Sequence, residues 1–173
     1  LRRFVCSKFL DLKKYRGHIF VAPLPKVFIS NILALEVLLK LIDKIPRDII
    51  VVVTGYEDKE NHHEQLIYAG YLTYPEYVAL LLSSDAVILP YPNNAICGGV
   101  RNKVLEAGYC KKPVISTRVG MMHIQALSRV HYIPIDIISE ETMQQREKWE
   151  ISALKLYKVI VQQYNSLEFK RSF

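Results

Sequence analysis

The stretch Ser83–Gly120, SSDAVILPYPNNAICGGVRNKVLEAGYCKKPVISTRVG, decides how this chain is read. Asp85 to Leu89 is an apolar run of strand length, and Pro90, Pro92, Asn93 and Asn94 end it with turn chemistry. Gly98 and Gly99 precede a helix-like segment from Val100 to Tyr109. Pro113 to Thr117 is a second apolar, β-branched run. Strand, loop, helix and strand in this order place the Gly-Gly pair beyond the carboxyl end of a strand and against a helix N-terminus. Open α/β sheets bind ligands there. One carboxylate, Glu106, follows about two turns into the helix.

The same alternation extends in both directions. Ile19 to Leu24 predicts a first strand, closed by Pro23 and Pro25. Ser30 is placed to cap a helix from Asn31 to about Lys44, which Pro46 stops. Ile49 to Val53 is a continuous β-branched run, the pattern of a strand covered on both faces. Glu57 to Gln65 is polar and reads as a loop with a short helix. Leu66 to Leu72 predicts another strand, with Gly70 inside it. Pro75 to Ser83 has helical spacing, with Tyr77, Val78, Leu81 and Leu82 on one side. Tyr132 to Ile135 reads as a short strand. Ser139, with Glu140 and Glu141 in the first turn, is expected to cap a long final helix whose apolar stripe is Ile151, Leu154, Tyr157, Val161 and Tyr164. Strands alternating with helices in this way indicate an α/β fold, a doubly wound, mostly parallel Rossmann-like sheet. No internal repeat interrupts it.

Length and charge narrow the possibilities. The chain has 173 residues, half of them hydrophobic, which is enough for one self-sufficient core. Arg2, Arg3, Lys8, Lys13, Lys14 and Arg16 stand against Asp11 alone in the first 17 residues, so five of the six net positive charges fall there. Residues 1–17 therefore read as a basic N-terminal tail or linker, and residues 18–173 as the Rossmann-like domain. The tail is either a solvated linker or a contact for a membrane surface or an acidic partner. The rest is nearly neutral, so no nucleic-acid face is expected. Cys6, Cys97 and Cys110 make an odd set without a CxxC pair, which predicts a reducing, cytoplasmic compartment. Cys97 has no activating neighbour in sequence and reads as structural. His62 and His63 are adjacent, point apart on any regular backbone, and read as solvated loop residues. No apolar stretch reaches the roughly 18 residues of a membrane span, and the start LRRFVCSKFL is too interrupted for a signal peptide.

Five segments together resemble the C-terminal, donor-binding domain of GT-B glycosyltransferases, in particular glycosyltransferase family 4 (group 1). They are NILALEVLLKLI, IIVVVTG, YAGYL, YPEYVALLLSSDAVILPYP and NKVLEAGYCKKPVIST, and they span about Ile19 to Gly120. The resemblance implies one half of a GT-B fold that binds a nucleotide-diphosphate sugar for transfer to an acceptor. It implies a diphosphate against Gly98, Gly99 and Val100, with Arg101, Asn102 and Lys103 of the Asn-Lys motif beside it. Glu106 would hold the ribose hydroxyls, and Leu72 would sit where the family's backbone reads the base. Unpaired N–H groups and a partial positive charge at a helix N-terminus suit such an anion. There is no DxD motif, so no metal or other cofactor is expected, and protein charge would stabilise the leaving diphosphate. The catalytic residues stay unassigned.

The match departs from the family in three places. The first of the family's paired glutamates falls at Gly98. The arginine and lysine that usually follow the first strand fall at Pro23 and Ser30, with Lys26 as the nearest basic residue. The chain also has no room for an N-terminal acceptor domain, so that domain or a partner protein is implied, and the chain alone is expected to turn over little or nothing. A non-catalytic nucleotide-binding or interaction module and a nucleotide-sugar epimerase-like domain are the alternatives on the same fold. Taken as isolated residues, Glu106 and Lys103 also fit a solvated helix face, and the glycines a tight turn.

Overall fold

Parallel strands need helical crossovers, and the apolar runs separated by helical segments deliver them. In the computed structural model, residues 17–57, 63–95, 101–139 and 145–164 are described. The strands are β1 (His18–Pro23), β2 (Ile49–Thr54), β3 (Leu66–Tyr68), β4 (Ala86–Leu89), β5 (Val114–Ser116) and β6 (Ile133–Pro134). The helices are α1 (Ile29–Leu41), α2 (Tyr74–Ser83), α3 (Asn102–Tyr109) and α4 (Arg146–Tyr164). The six strands form one sheet in the order β3-β2-β1-β4-β5-β6, and every pairing is parallel. This is the doubly wound order that reverses direction between β1 and β4, and it confirms the expected fold class.

Alternation along the strands separates two layers. Phe20 and Ala22 of β1 join Val51 and Val53 of β2 in the core that includes Ala34, Leu35 and Leu38 of α1. Ile19, Val21 and Val52 face the other way, onto Ala79 and Leu80 of α2. Helix α4 returns to the first layer, where Trp149 meets Phe20 with ring centroids 6.0 Å apart and Leu156 and Ile160 are fully buried. Buried Gln65 fastens one sheet edge: its Nε2 donates to the carbonyls of Ile45, Pro46 and Ile49 at 3.2, 2.8 and 3.0 Å.

Several local expectations change. Ser30 does not cap α1. The helix starts at Ile29 with Phe28 in extended conformation before it, and Asn31 N–H and Ile32 N–H bond back to the Phe28 carbonyl. The helix ends at Leu41 and a 3-10 turn covers Ile42–Lys44. Strand β3 stops at Tyr68 because Gly70, at φ +64°, turns left-handed, which sends Tyr71 and Leu72 out of the sheet. The buried side of α2 is Ala79, Leu80, Leu81 and Ser83, whereas Leu82 is exposed. Ser139 does not start the final helix: α4 begins at Arg146, and Glu140 and Glu141 lie outside the described residues. Its stripe is also displaced, because Ile151 and Leu154 are exposed while Trp149, Ala153, Leu156 and Ile160 are buried. Contacts with Phe20 of β1 and with Gly108 of α3 set which face of α4 meets the core, and the 3.6-residue pattern alone is compatible with either neighbouring stripe.

The loop after β2 carries a strict steric requirement. Gly55 sits at φ +78°, and a Cβ there would lie 2.3 Å from the Pro25 Cα. Both atoms are fixed by the parallel β1–β2 pair, in which Pro23 stands opposite Thr54. Gly55→Ala should therefore cost at least about 3 kcal/mol, from left-handed strain plus a clash that no rotamer relieves. Thermal unfolding followed by circular dichroism should show a midpoint lowered by roughly 5–10 °C.

Candidate functional site

The strand order leaves a crevice beyond the carboxyl ends of β1 and β2, closed on the far side by α3. It has a volume of about 260 Å³ and is lined by Pro23, Pro25, Thr54, Gly55, Tyr71, Leu72, Tyr77, Asn102, Lys103 and Glu106. Four residues singled out from the sequence thus meet in one place: Leu72, Asn102, Lys103 and Glu106. Leu72 gets there through the left-handed turn at Gly70. Asn102, Lys103 and Glu106 are carried by the first two turns of α3, whose opposite side, with Val104, Leu105, Ala107 and Gly108, is buried.

Lys103 does not reach freely into solvent. Its Nζ donates to Asn31 Oδ1 at 2.7 Å and to the Tyr91 hydroxyl at 2.8 Å, and the Tyr91 hydroxyl itself donates to Asn31 Oδ1 at 2.7 Å. Asn31 Nδ2 donates in turn to the Pro25 carbonyl at 2.7 Å. Burial, reinforced by the Arg101 charge, lowers the Lys103 pKa to about 7, and Glu106 opposes that shift. Glu106 is displaced the other way. Burial raises its pKa, against the hydrogen bond from the Tyr77 hydroxyl (2.9 Å to Oε2) and the charge of Lys103. The phenol of Tyr77 is held well above its usual range by its own burial and by the carboxylate it serves.

Arg101 is buried and does not line the crevice. Its guanidinium lies over the Tyr91 ring, 3.5 Å from the centroid, and donates to the carbonyls of Ala95 and Val119 at 2.5 and 3.5 Å. It acts as a brace behind Tyr91. Tyr91 is fixed at its backbone as well, where Thr117 Oγ1 donates to its carbonyl at 2.6 Å. Gly98, Gly99 and Val100, and Cys97 beside them, lie outside the described residues. Lys26 stands with its ammonium 5.8 Å from the Tyr56 ring centroid. Among the described residues no group of three or more His, Cys, Asp or Glu is arranged to hold a metal, and no helix is long and apolar enough to cross a membrane.

Sequence reasoning missed Asn31, Tyr77 and Tyr91 as site residues. One signal was available for Asn31, a polar residue heading an otherwise apolar helix in NILALEVLLKLI. Tyr77 and Tyr91 read as ordinary core aromatics, because a tyrosine's hydrogen-bond partner is not written in its own neighbourhood.

The family model described as Glycosyl transferases group 1 matches residues 18–131. No curated protein sequence matches the chain. Among solved structures, the chain is similar to Anabaena Alr3699/HepE, crystallised with UDP-glucose, at 12% identity and a TM-score of 0.71, covering 95% of this chain and 49% of that one. It is also similar to the C-terminal domain of the group 1 glycosyl transferase LpcC from Francisella tularensis, at 15% identity and a TM-score of 0.63, covering 91% of each. A glycosyltransferase from Rickettsia africae ESF-5 shares 13% identity at a TM-score of 0.62, covering 94% of this chain and 48% of that one. The chain spans about half the length of the two longer structures.

The opposed shifts of Lys103 and Glu106 make a direct prediction. Carbon-13 titration of the Lys103 side chain should show a midpoint near pH 7, and Glu106→Gln should move it lower, because the substitution removes the one neighbour that favours the ammonium. A midpoint above pH 10 would show the ammonium to be solvated instead.

Proposed function

The chain belongs to the group 1 glycosyl transferases, and on that premise we propose that it is a donor-binding half that takes a nucleotide-diphosphate sugar for transfer to an acceptor. The observation that carries this reading is the meeting of one cation and one carboxylate, Lys103 and Glu106, in a single crevice at the reversal of strand order. Their chemistry divides a nucleotide-sugar between them. The diphosphate would lie toward the start of α3, where Lys103 offers charge, and Gly98, Gly99 and Val100, which precede the helix in sequence, are proposed to offer backbone N–H groups. Glu106, a turn further on, would accept hydroxyl hydrogens from the pentose, and Leu72 with Tyr71 would flank the base.

In this reading the leaving diphosphate is stabilised by Lys103 and the amides, without a divalent ion. To reach a phosphate, the ammonium must exchange its bonds to Asn31 and Tyr91 for bonds to the anion. The exchange favours binding, because a charged acceptor makes a stronger bond than a neutral amide or hydroxyl. Transfer itself would require an acceptor domain or partner protein. The similarity to structures about twice as long supports that requirement. A non-catalytic nucleotide-binding module is the second reading, favoured by Arg101, whose guanidinium is held by Tyr91 and two carbonyls away from the crevice lining. The readings separate on turnover: only a donor half should hydrolyse or transfer its sugar when a cognate acceptor domain is supplied.

The test is calorimetric titration with UDP-, GDP- and ADP-sugars. At least one should bind, and Glu106→Ala should weaken it by roughly tenfold or more through loss of charge-assisted hydrogen bonds. Binding should also depend on pH. With a pKa of about 7, Lys103 carries its charge at pH 6 and has largely lost it at pH 8. A sugar nucleotide keeps both phosphate charges across that range, so affinity should fall by roughly tenfold from pH 6 to pH 8. Lys103→Met should remove this dependence. No response to any of the three nucleotide-sugars at millimolar concentration would end the donor-site reading.

A further inference from the structure

Among the described residues, Glu106 is hydrogen-bonded at one oxygen. Tyr77 donates to Oε2 from α2 at 2.9 Å, and among the described residues Oε1 has no hydrogen-bond partner. Four ionisable groups act on or feel this carboxylate: Lys103 one turn earlier on α3, Cys110 one turn later, and Tyr74 and Tyr77 from α2. Tyr77 is the one that donates a hydrogen bond to it, and Tyr77 also lines the crevice.

A neutral O–H donor has a particular effect on a half-buried carboxylate. It satisfies one oxygen without cancelling the charge, so the second oxygen remains a strong acceptor. It also restrains a long, rotamer-rich side chain, which lowers the entropy lost when a ligand hydroxyl binds. The tyrosine ring suits this task because only two torsions have to be fixed.

We propose that Tyr77 is a positioning residue of this site: its hydroxyl holds Glu106 Oε2 so that Oε1 accepts a pentose hydroxyl, and it thereby sets the preference for ribose over a deoxygenated sugar. The proposal rests on the reading of Glu106 given above. It adds a residue, a direction of action and a specificity that this reading does not contain. The Tyr77 hydroxyl favours the ionised carboxylate, so its removal must raise the pH at which Glu106 gains its charge. Hydroxyl recognition should then suffer most at low pH and recover as pH rises.

The test uses Tyr77→Phe, which keeps the ring and removes the O–H. In ligand-free protein, carbon-13 titration of the Glu106 carboxyl should show its midpoint moved upward; an unmoved or lowered midpoint overturns the proposal. In the presence of ligand, the quantity is the affinity ratio between the best-binding of UDP, GDP and ADP and its 2′,3′-dideoxy analogue. Lys103 meets both members of each pair through the same phosphates, so its titration cancels in the ratio. Tyr77→Phe should lower that ratio roughly fivefold, with a larger loss at pH 6 than at pH 8. In a Glu106→Gln background, Tyr77→Phe should change nothing further, whereas a persisting effect would make Tyr77 a packing residue and overturn the proposal. If Tyr77→Phe does not fold, replacement of Tyr77 by 3-fluorotyrosine retains the ring. Its more acidic phenol should lower the Glu106 midpoint, and a rise would overturn the proposal. Failure of the wild-type protein to bind any of the three nucleotides removes the donor-site reading, and this proposal with it. A wild-type protein that binds and discriminates by hydroxyl, with a Tyr77→Phe protein that does the same at both pH values, removes this proposal alone.

Discussion

A buried amide, Asn31, is the junction on which the crevice depends. Its side chain bonds the carbonyl of Pro25 after β1, the hydroxyl of Tyr91 after β4 and the ammonium of Lys103 on α3. These three segments flank the point where the strand order reverses, and nothing else described joins all of them by hydrogen bonds. An unsatisfied polar group at such depth costs about 1–3 kcal/mol, so the bonds of Asn31 to Pro25 and Tyr91 support one another. Asn31 is 2% exposed and Tyr91 1% exposed, so both sit beneath the crevice floor. Arg101 completes the arrangement from behind by stacking on Tyr91, and its cationic face keeps that ring where Lys103 can use its hydroxyl.

This junction explains why a lysine and a glutamate one turn apart do not simply pair. Lys103 is turned toward Asn31 and Tyr91, and Glu106 toward Tyr77, so each is held by neutral partners. Burial then acts on both with opposite signs: the ammonium is pushed toward neutrality from above, and the carboxylate from below. The result is a crevice in which Lys103 titrates near neutrality, Glu106 is held above the usual carboxylate range, and both respond to whatever enters. A salt bridge between the two would have neutralised the site and left neither group available to a ligand. Perturbed groups of this kind, gathered in a cleft, mark functional sites more often than structural ones.

Much of the architecture was legible in the linear pattern. The apolar run of Ile49 to Val53 needed cover on both faces and has it, and Asp85 to Leu89 and Pro113 to Thr117 became neighbouring parallel strands within a residue or two of their expected ends. The failures share a cause. Ser30 lost the cap because Phe28 took the extended conformation two positions earlier, and the Asn31 amide was drawn to Pro25 instead of to the helix end. The stripe on the last helix shifted because Phe20, 129 residues away along the chain but adjacent in space, claimed Trp149.

The sequence by itself determined the order of strands and helices, their parallel packing and the position of Lys103 and Glu106 on one helix, because these follow from local periodicity and turn chemistry. Only the tertiary structure decided what those two side chains touch. Lys103 meets Asn31 and Glu106 meets Tyr77 across 72 and 29 residues of chain. Such pairs exist only once the sheet has fixed the distance and angle between elements, and a hydrogen bond is sensitive to both.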